Sequence, residues 1–244
     1  MGGQYIEAVL AVPHPTSARW PGLCAVCRRW TRGSLCQPCL QRFAPATERC
    51  RQCALRTPAG VLRCGACITR GKAPVSACVA ALDYGFPWDG LITGFKFHQR
   101  LDLADAFARL LAVASRAAPA VDLILPMPLS RQRLRERGFN QSWELARRVA
   151  RQHRITASPD WLLRIRDTAH QVQLPQAQRA ANVRGAFLAD PRHAHRMAGR
   201  RIALVDDVMT SGATADEAAR ALLAAGAASV QLWVLARTPA LGGA

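Results

Sequence analysis

The stretch RIALVDDVMTSGATADEAARAL (residues 201–222) decides how the rest of the chain is read. An apolar run leads into two adjacent aspartates, Asp206 and Asp207, which repel one another. A small, hydroxyl-rich turn follows, and then an alanine-rich segment. The run predicts a buried strand and the alanine-rich segment a helix. The acidic pair then stands at the carboxyl end of a strand, where open parallel sheets place their ligands.

The turn is suited to an anion. Gly212 removes steric bulk, Thr210, Ser211 and Thr214 offer hydroxyl donors, and Ala213 opens a helix whose N-terminal dipole is positive. An acidic pair beside such a cradle makes no sense for a phosphate alone. It suits a ligand that also carries vicinal hydroxyls, which donate hydrogen bonds to carboxylates. The expected ligand is a ribose 5-phosphate, with the repulsion relieved by its hydroxyls or by magnesium.

Working outward, strands alternate with helices. VSACVAALDYG, VDLILPMP, RIALVDD and SVQLWVLAR read as strands. PWDGLITGFKFHQR, LDLADAFARLLAVASRA, NQSWELARRVARQH and ATADEAARALLAAGA read as helices. This alternation predicts an α/β fold with a parallel sheet covered by helices.

Ahead of it lies a segment of different composition. Residues 1–80 hold all nine cysteines, with eleven basic and two acidic residues, whereas residues 81–244 hold 22 basic and 14 acidic ones. RGKAPV reads as a linker, so the expected domains are residues 1–72 and 73–244. Four Cys-x-x-Cys knuckles stand in a row: Cys24/Cys27, Cys36/Cys39, Cys50/Cys53 and Cys64/Cys67. Two knuckles supply the four sulfurs of a tetrahedral structural zinc site, so two zinc ions are expected. The spacing leaves sequential and crossed pairing open, and sequential pairing is expected. A disulfide framework is the competing reading, against which stand the regular spacing and a reducing compartment. Cys78 is left over and reads as a small buried residue of a strand.

The formal charge is +17, carried by 31 arginines with only Lys72 and Lys96 as lysines. The arginine-over-lysine skew suits codon bias, but the excess of positive charge favours polyanionic partners. The N-terminal module stays basic, at +5, once eight thiolates and two zinc ions are counted. Trp20 and Trp30 stand among Arg19, Arg28, Arg29 and Arg32, either packed on the ribbon or exposed as a stacking platform for single strands. No apolar run reaches the roughly 18 residues of a membrane span. MGGQYIEAVLAVPHP shows neither a basic leader nor a cleavage site, so a cytoplasmic location is expected.

Strand, Asp-Asp, spacer and Thr-Ser-Gly-Ala-Thr together resemble the signature of the type I phosphoribosyltransferases. A longer resemblance is to the ComF family. It rests on RERGFNQSWELA (residues 135–146), LPMPLS (125–130), RIRDTAHQVQLPQAQRAANVRGAF (164–187) and LITGFKF (91–97), behind the four-knuckle module. The resemblance covers nearly the whole chain. It implies a type I phosphoribosyltransferase fold with an N-terminal double zinc ribbon, and it implies phosphoribosyl pyrophosphate with magnesium as ligand.

By that resemblance Asp206 and Asp207 hold the ribose hydroxyls, and Thr210, Ser211, Gly212, Ala213 and Thr214 hold the 5-phosphate. Met127, Pro128, Leu129 and Ser130 form the pyrophosphate loop. Residues 164–182 form a flap whose polar residues are Arg164, Gln171, Arg179 and Asn182. Arg137 and Arg164 are the candidate catalytic residues, with Arg166 beside them, and they would stabilise charge on the departing pyrophosphate. Arg137 also reads as one more surface arginine in a run with Arg131, Arg133 and Arg135. His170 reads as a base or as a solvated loop histidine. Thr210 occupies the slot where purine-salvage relatives carry a third carboxylate, which argues against purine salvage and leaves the acceptor open. The family is associated with uptake of DNA in natural competence. That implies single-stranded DNA and competence proteins, such as a helicase, as partners. The alternative is a non-catalytic protein that handles single-stranded DNA on the same fold.

Overall fold

A computed structural model describes residues 21–166 and 181–240. The chain enters through two short strands, β1 (Gly22–Leu23) and β2 (Trp30–Thr31), paired antiparallel with Leu23 opposite Trp30. Two short helices follow, α1 (Gln37–Phe43) and α2 (Gly65–Arg70), capped by Cys36 and Cys64. Each helix thus begins directly after the first cysteine of a knuckle.

The alternation begins at β3 (Val75–Asp83), followed by α3 (Trp88–Phe97), α4 (Ala104–Ser115) and β4 (Leu123–Pro126). Helices α5 (Arg131–Arg137) and α6 (Gln141–His153) lead to a two-residue strand, β5 (Thr156–Ala157). Strands β6 (Leu162–Arg164) and β7 (Phe187–Ala189) pair antiparallel, with Arg164 opposite Phe187. The chain closes with α7 (Ala194–Met197), β8 (Arg201–Met209), α8 (Ala213–Ala224) and β9 (Ser229–Arg237).

The central sheet has the order β3-β9-β8-β4-β5, and every neighbouring pair in it is parallel. Strand β8 lies in the middle, which explains its unbroken apolar run Ile202, Ala203, Leu204 and Val205: both faces are covered. Its side chains alternate between two cores. Ala203 and Val205 meet Phe107 and Leu111 of α4 and Leu145 and Val149 of α6. Ile202 and Leu204 meet Ala218 and Leu222 of α8, Met197 of α7, and Leu162 and Phe187 of the β6–β7 pair.

The cysteine-rich segment shares both cores. Leu35 and Ala44 join the first, and Ala54 joins the second. The expected linker is short, since Gly71 closes α2 at positive φ and Val75 already pairs with Val230. Cys78 is buried in β3, as its reading as a small strand residue required.

Three features depart from the sequence reading. Strand β8 was expected to end at the acidic pair, yet it continues through Met209. The short β5, β6 and β7 carried too few residues to show a period. The run of arginines from Arg131 is helical, capped by the Ser130 hydroxyl, which accepts from the Arg133 amide at 3.4 Å.

Candidate ribose-phosphate site and cysteine clusters

The acidic pair sits where the sheet opens. Strand β4 accompanies β8 only to Val205, opposite Pro126, with a last bond from the Met127 amide to Val205 O at 2.8 Å. Strand β9 continues alongside β8 to Met209, opposite Arg237. From Asp206 onward the edge of β8 towards β4 is therefore open to side chains from α3 and α6.

Those side chains hold the pair apart in function. The Ser142 hydroxyl donates to Asp206 Oδ1 at 2.9 Å, and the Asp207 amide donates to the same oxygen at 2.9 Å. Asp207 is buried; its Oδ1 takes the Lys96 ammonium at 2.9 Å and the Val208 amide at 2.6 Å. Asp207 Oδ2 is buried and lacks a partner among the described residues. Burial, and then the negative charge of Asp207, push the Asp206 carboxyl up to about 7, against the pull of Lys96. An orphaned carboxylate oxygen beside a second carboxylate with a raised pKa is a site short of donors or of a cation. Ribose hydroxyls and magnesium both fit that deficit.

Residues 210–214 connect β8 to α8. Gly212 is the N-cap of α8, in the left-handed region at φ 83°, and supplies no side-chain cap. A Cβ there would stand 2.7 Å from Met209 Cε, the movable end of a flexible side chain, so it is the positive φ that calls for glycine. The Ser211 hydroxyl accepts weakly from the Ala213 amide at 3.4 Å. Thr210 is exposed, and Ser211, Gly212, Ala213 and Thr214 are half-buried. The turn thus gathers hydroxyls and the first amides of α8 two residues after the acidic pair.

Residues 127–130 join β4 to α5, and Asn140 ties them to the pair. Its Nδ2 donates to Met127 O at 3.1 Å, while its Oδ1 caps α6 by accepting from the Ser142 and Trp143 amides at 2.9 and 3.3 Å. Pro128, Leu129, Ser130, Asn140 and Trp143 line one cleft of about 610 Å³ with Arg164. The pair and the turn are not among the residues lining that cleft.

Of the two candidate catalytic arginines, Arg137 lies within electrostatic reach of the pair. Burial works against its charge, and Asp207 and Asp206 support it. Its guanidinium stacks on the Phe97 ring at 4.7 Å, next to Lys96. Arg164 ends β6, and its guanidinium lies 5.5 Å from the centre of the Phe187 ring. Gln171, Arg179 and His170 lie outside the described residues, as do Arg19 and Trp20.

The sequence reading missed Lys96, Asn140 and Ser142 as site residues. Their signal was present in the quoted motifs GFKF and GFNQS, but nothing in the spacing says that residues 96 and 142 meet residues 206 and 207.

The cysteines fall into two clusters, Cys24/Cys27/Cys36/Cys39 and Cys50/Cys53/Cys64/Cys67, which is sequential pairing. Within each, the sulfurs lie within 4.8 Å of one another. Tetrahedral zinc–sulfur bonds of about 2.3 Å put sulfurs roughly 3.8 Å apart, and Cys27–Cys36 at 3.5 Å and Cys53–Cys64 at 3.7 Å match. The knuckles divide their thiols: one in each cluster is favoured as thiolate, while burial pushes the Cys36, Cys39, Cys53 and Cys67 thiols up. Burial pushes the Cys24 thiol up, but the amides of Cys27, Cys36 and Val26 outweigh it and lower it to about 6. Cys50 is lowered to about 7 by the same balance, with amides from Cys64, Gln52 and Cys53. Both donor sets fit zinc.

Trp30, which the sequence left either packed or exposed, is 75% exposed, and Arg28, Arg29 and Arg32 beside it are exposed too. No helix among the described residues is long and apolar enough to cross a membrane.

Comparison with known proteins agrees with this geometry. A model of the phosphoribosyl transferase domain matches residues 145–243. The DNA utilization protein YhgH of Shigella flexneri is 37% identical over 162 residues, covering 64% of this chain and 70% of that protein. Competence protein F of Haemophilus influenzae is 34% identical over 158 residues, covering 62% and 68%. Competence protein ComFC of Bacillus subtilis is 31% identical over 150 residues, covering 60% and 58%. The chain belongs to the ComF family, with a phosphoribosyl transferase domain on a parallel sheet and two four-cysteine clusters ahead of it.

Proposed function

We propose that this protein binds phosphoribosyl pyrophosphate with magnesium and transfers its phosphoribosyl group, in the service of DNA uptake in the cytoplasm of a competent cell. The observation that carries the reading is the acidic pair with its orphaned Asp207 Oδ2, two residues ahead of a glycine-capped turn at a helix N-terminus. Asp206 and Asp207 accept hydrogen bonds from the ribose hydroxyls, and the Lys96 ammonium pairs with Asp207 and orients it. Residues 210–214 hold the 5-phosphate through amides and hydroxyls. Met127, Pro128, Leu129 and Ser130 present the pyrophosphate loop.

Magnesium supplies positive charge to the pyrophosphate. As the bond from the anomeric carbon to pyrophosphate lengthens, the ribose gains oxocarbenium character and the pyrophosphate gains charge; the nucleophilic atom of an acceptor, whose class the site leaves open, then bonds to the anomeric carbon and pyrophosphate departs. Arg137 and Arg164 stabilise that charge from the protein side. The test is release of pyrophosphate from phosphoribosyl pyrophosphate, with and without single-stranded DNA. No release under either condition, with ligand bound, overturns the transfer.

A second reading is favoured by the exposed Trp30 among Arg28, Arg29 and Arg32: a protein that handles single-stranded DNA without turnover. Aromatic stacking plus arginine contacts suits single strands. The names of the relatives, competence protein and DNA utilization protein, support a DNA-linked role in either reading. Ligand binding without pyrophosphate release, together with DNA binding, selects the second.

A further inference from the structure

We propose that Arg237 is a positioning residue that couples the second cysteine cluster to the phosphate cradle, so that metal held by Cys50, Cys53, Cys64 and Cys67 sets the shape of residues 210–214. The proposal rests on the reading of that turn as a phosphate site. Arg237 is the last residue of β9 and is 7% exposed. Its Nε donates to Cys53 O at 2.8 Å, the carbonyl of a cluster ligand. Its Nη1 donates to Met209 O at 3.2 Å, to Thr238 O at 2.7 Å and to Thr238 Oγ1 at 3.1 Å. Thr238 turns back on the same point, with its amide and hydroxyl donating to Met209 O at 3.1 and 3.2 Å. Three donors thus converge on the carbonyl of Met209, the residue before the cradle begins.

The cradle depends on where Met209 is held. The Met209 side chain lies under the turn, at the spot a Cβ on residue 212 would occupy. Gln52, Cys53 and Arg70 of the cysteine module line one small void of about 20 Å³ together with Met209, Gly212 and Asp216. The knuckle carrying Cys53 is itself fastened to β3: the Cys78 amide donates to Arg51 O at 2.7 Å, and Gln52 Nε2 donates to Val75 O at 2.7 Å. The named bonds of the Arg237 guanidinium all go to neutral oxygens, which leaves its charge to be balanced electrostatically. Four thiolates on one zinc carry a net −2, so a loaded cluster supplies that balance. An empty cluster frees Cys53 to move, and Arg237 transmits the movement to Met209.

The experiment uses the full chain and the variants Arg237→Met, Arg237→Lys and Arg49→Met. Arg49 also docks the module, to Asp83 Oδ1 at 2.7 Å and to Ala54 O at 3.1 Å, but it makes no hydrogen bond to Met209. Zinc content, amide hydrogen exchange over residues 209–214 and calorimetric affinity for magnesium phosphoribosyl pyrophosphate are read for each. Arg237→Met is expected to keep two zinc ions, to exchange faster over 209–214, and to bind the ligand about 10-fold more weakly. Arg237→Lys should fall between, since one ammonium replaces a fork. Arg49→Met, which keeps the three donors on Met209 O, should lower Tm and change exchange at 209–214 and affinity much less than Arg237→Met does. A folded Arg237→Met protein with wild-type exchange and affinity overturns the proposal, and if that variant does not fold, the same result in Arg237→Lys does so. If the wild-type protein binds no phosphoribosyl pyrophosphate, the functional reading fails, and exchange over 209–214 alone judges the brace.

Discussion

The two cysteine clusters are made by the same local means. In the first, the Cys36 amide donates to Cys24 Sγ at 3.4 Å; in the second, the Cys64 amide donates to Cys50 Sγ at 3.3 Å. Each is closed by a short helix that starts from a capping cysteine. Their neighbours differ. The first cluster docks through α1, where Phe43 O accepts from Trp88 Nε1 at 2.7 Å and Phe43 meets Phe86 edge-on, and it leaves Leu23 and Trp30 exposed. The second lies along β3, fastened at its amino end to Val75 and at its carboxyl end to Asp83, and to Arg237 at the end of β9. The same four-cysteine chemistry therefore stands beside an exposed face in one case and against residues 209 and 237 in the other. What a zinc knuckle does is set by what its carbonyls and flanking side chains touch, since its ligands are spent on the metal.

The largest expected effect breaks or confirms this contrast directly. Wild-type protein should carry two zinc ions, and Cys24→Ser and Cys64→Ser should each reduce that to one by elemental analysis, at a cost on the order of several kcal/mol. Affinity for phosphoribosyl pyrophosphate should fall further in Cys64→Ser than in Cys24→Ser. Equal losses would mean that the two clusters are interchangeable supports.

Next in size is the acidic pair. Asp206→Asn with Asp207→Asn should abolish phosphoribosyl pyrophosphate binding and leave zinc content at two, and the affinity for single-stranded DNA should stay as in wild type. Alone, Asp207→Asn removes the partner of Lys96, whose side chain is 21% exposed, and should destabilise the fold by about 1–3 kcal/mol. Asp206→Asn removes a repelling carboxylate instead and should raise Tm. A shared sign for the two single variants would show that the carboxylates are not divided in role.

A smaller effect tests the outward face. Log affinity for single-stranded DNA should fall linearly with log salt, by roughly 0.7 per phosphate contacted. Arg28→Gln with Arg29→Gln should flatten that slope by about one to two contacts and spare phosphoribosyl pyrophosphate binding. An unchanged slope, together with competition between DNA and phosphoribosyl pyrophosphate, would move the strand to the ribose-phosphate site and leave the first cluster a cap.

The smallest effect is on the free protein as pH changes. The folded Asp206 carboxyl lies near 7, above its unfolded value near 4. The folded state therefore holds a proton that the unfolded state has released, and stability falls as pH rises from about 4 to 7. Without divalent cations, the Tm difference between Asp206→Asn and wild type should grow across that window and level off above it. A difference that stays flat would show that Asp206 is ionised throughout.

Much of this molecule was legible in advance because the relevant patterns are local. The β8 run, the Gly212 turn and the Cys-x-x-Cys spacing each lie within a few residues, and hydrophobic period or ligand geometry constrains them there. The short β5 and the β6–β7 pair were not legible, since two or three residues show no period. The last two residues of β8 were lost for another reason: a strand was expected to stop at charges, whereas β9 continues to pair with it beyond them.

By itself the sequence determined the eight sulfur ligands, the strand-helix alternation and the chemical character of residues 206–214. Sequential pairing of the knuckles, the Lys96–Asp207 ion pair, the Ser142–Asp206 hydrogen bond and the Arg237 brace were decided only in the tertiary structure. The reason is the strand order. Laying β9 between β3 and β8 brings residue 237 against residues 53 and 209, and ending β4 at Pro126 opens the edge of β8 to α3 and α6. Those contacts join positions tens to hundreds of residues apart, and no local period encodes them.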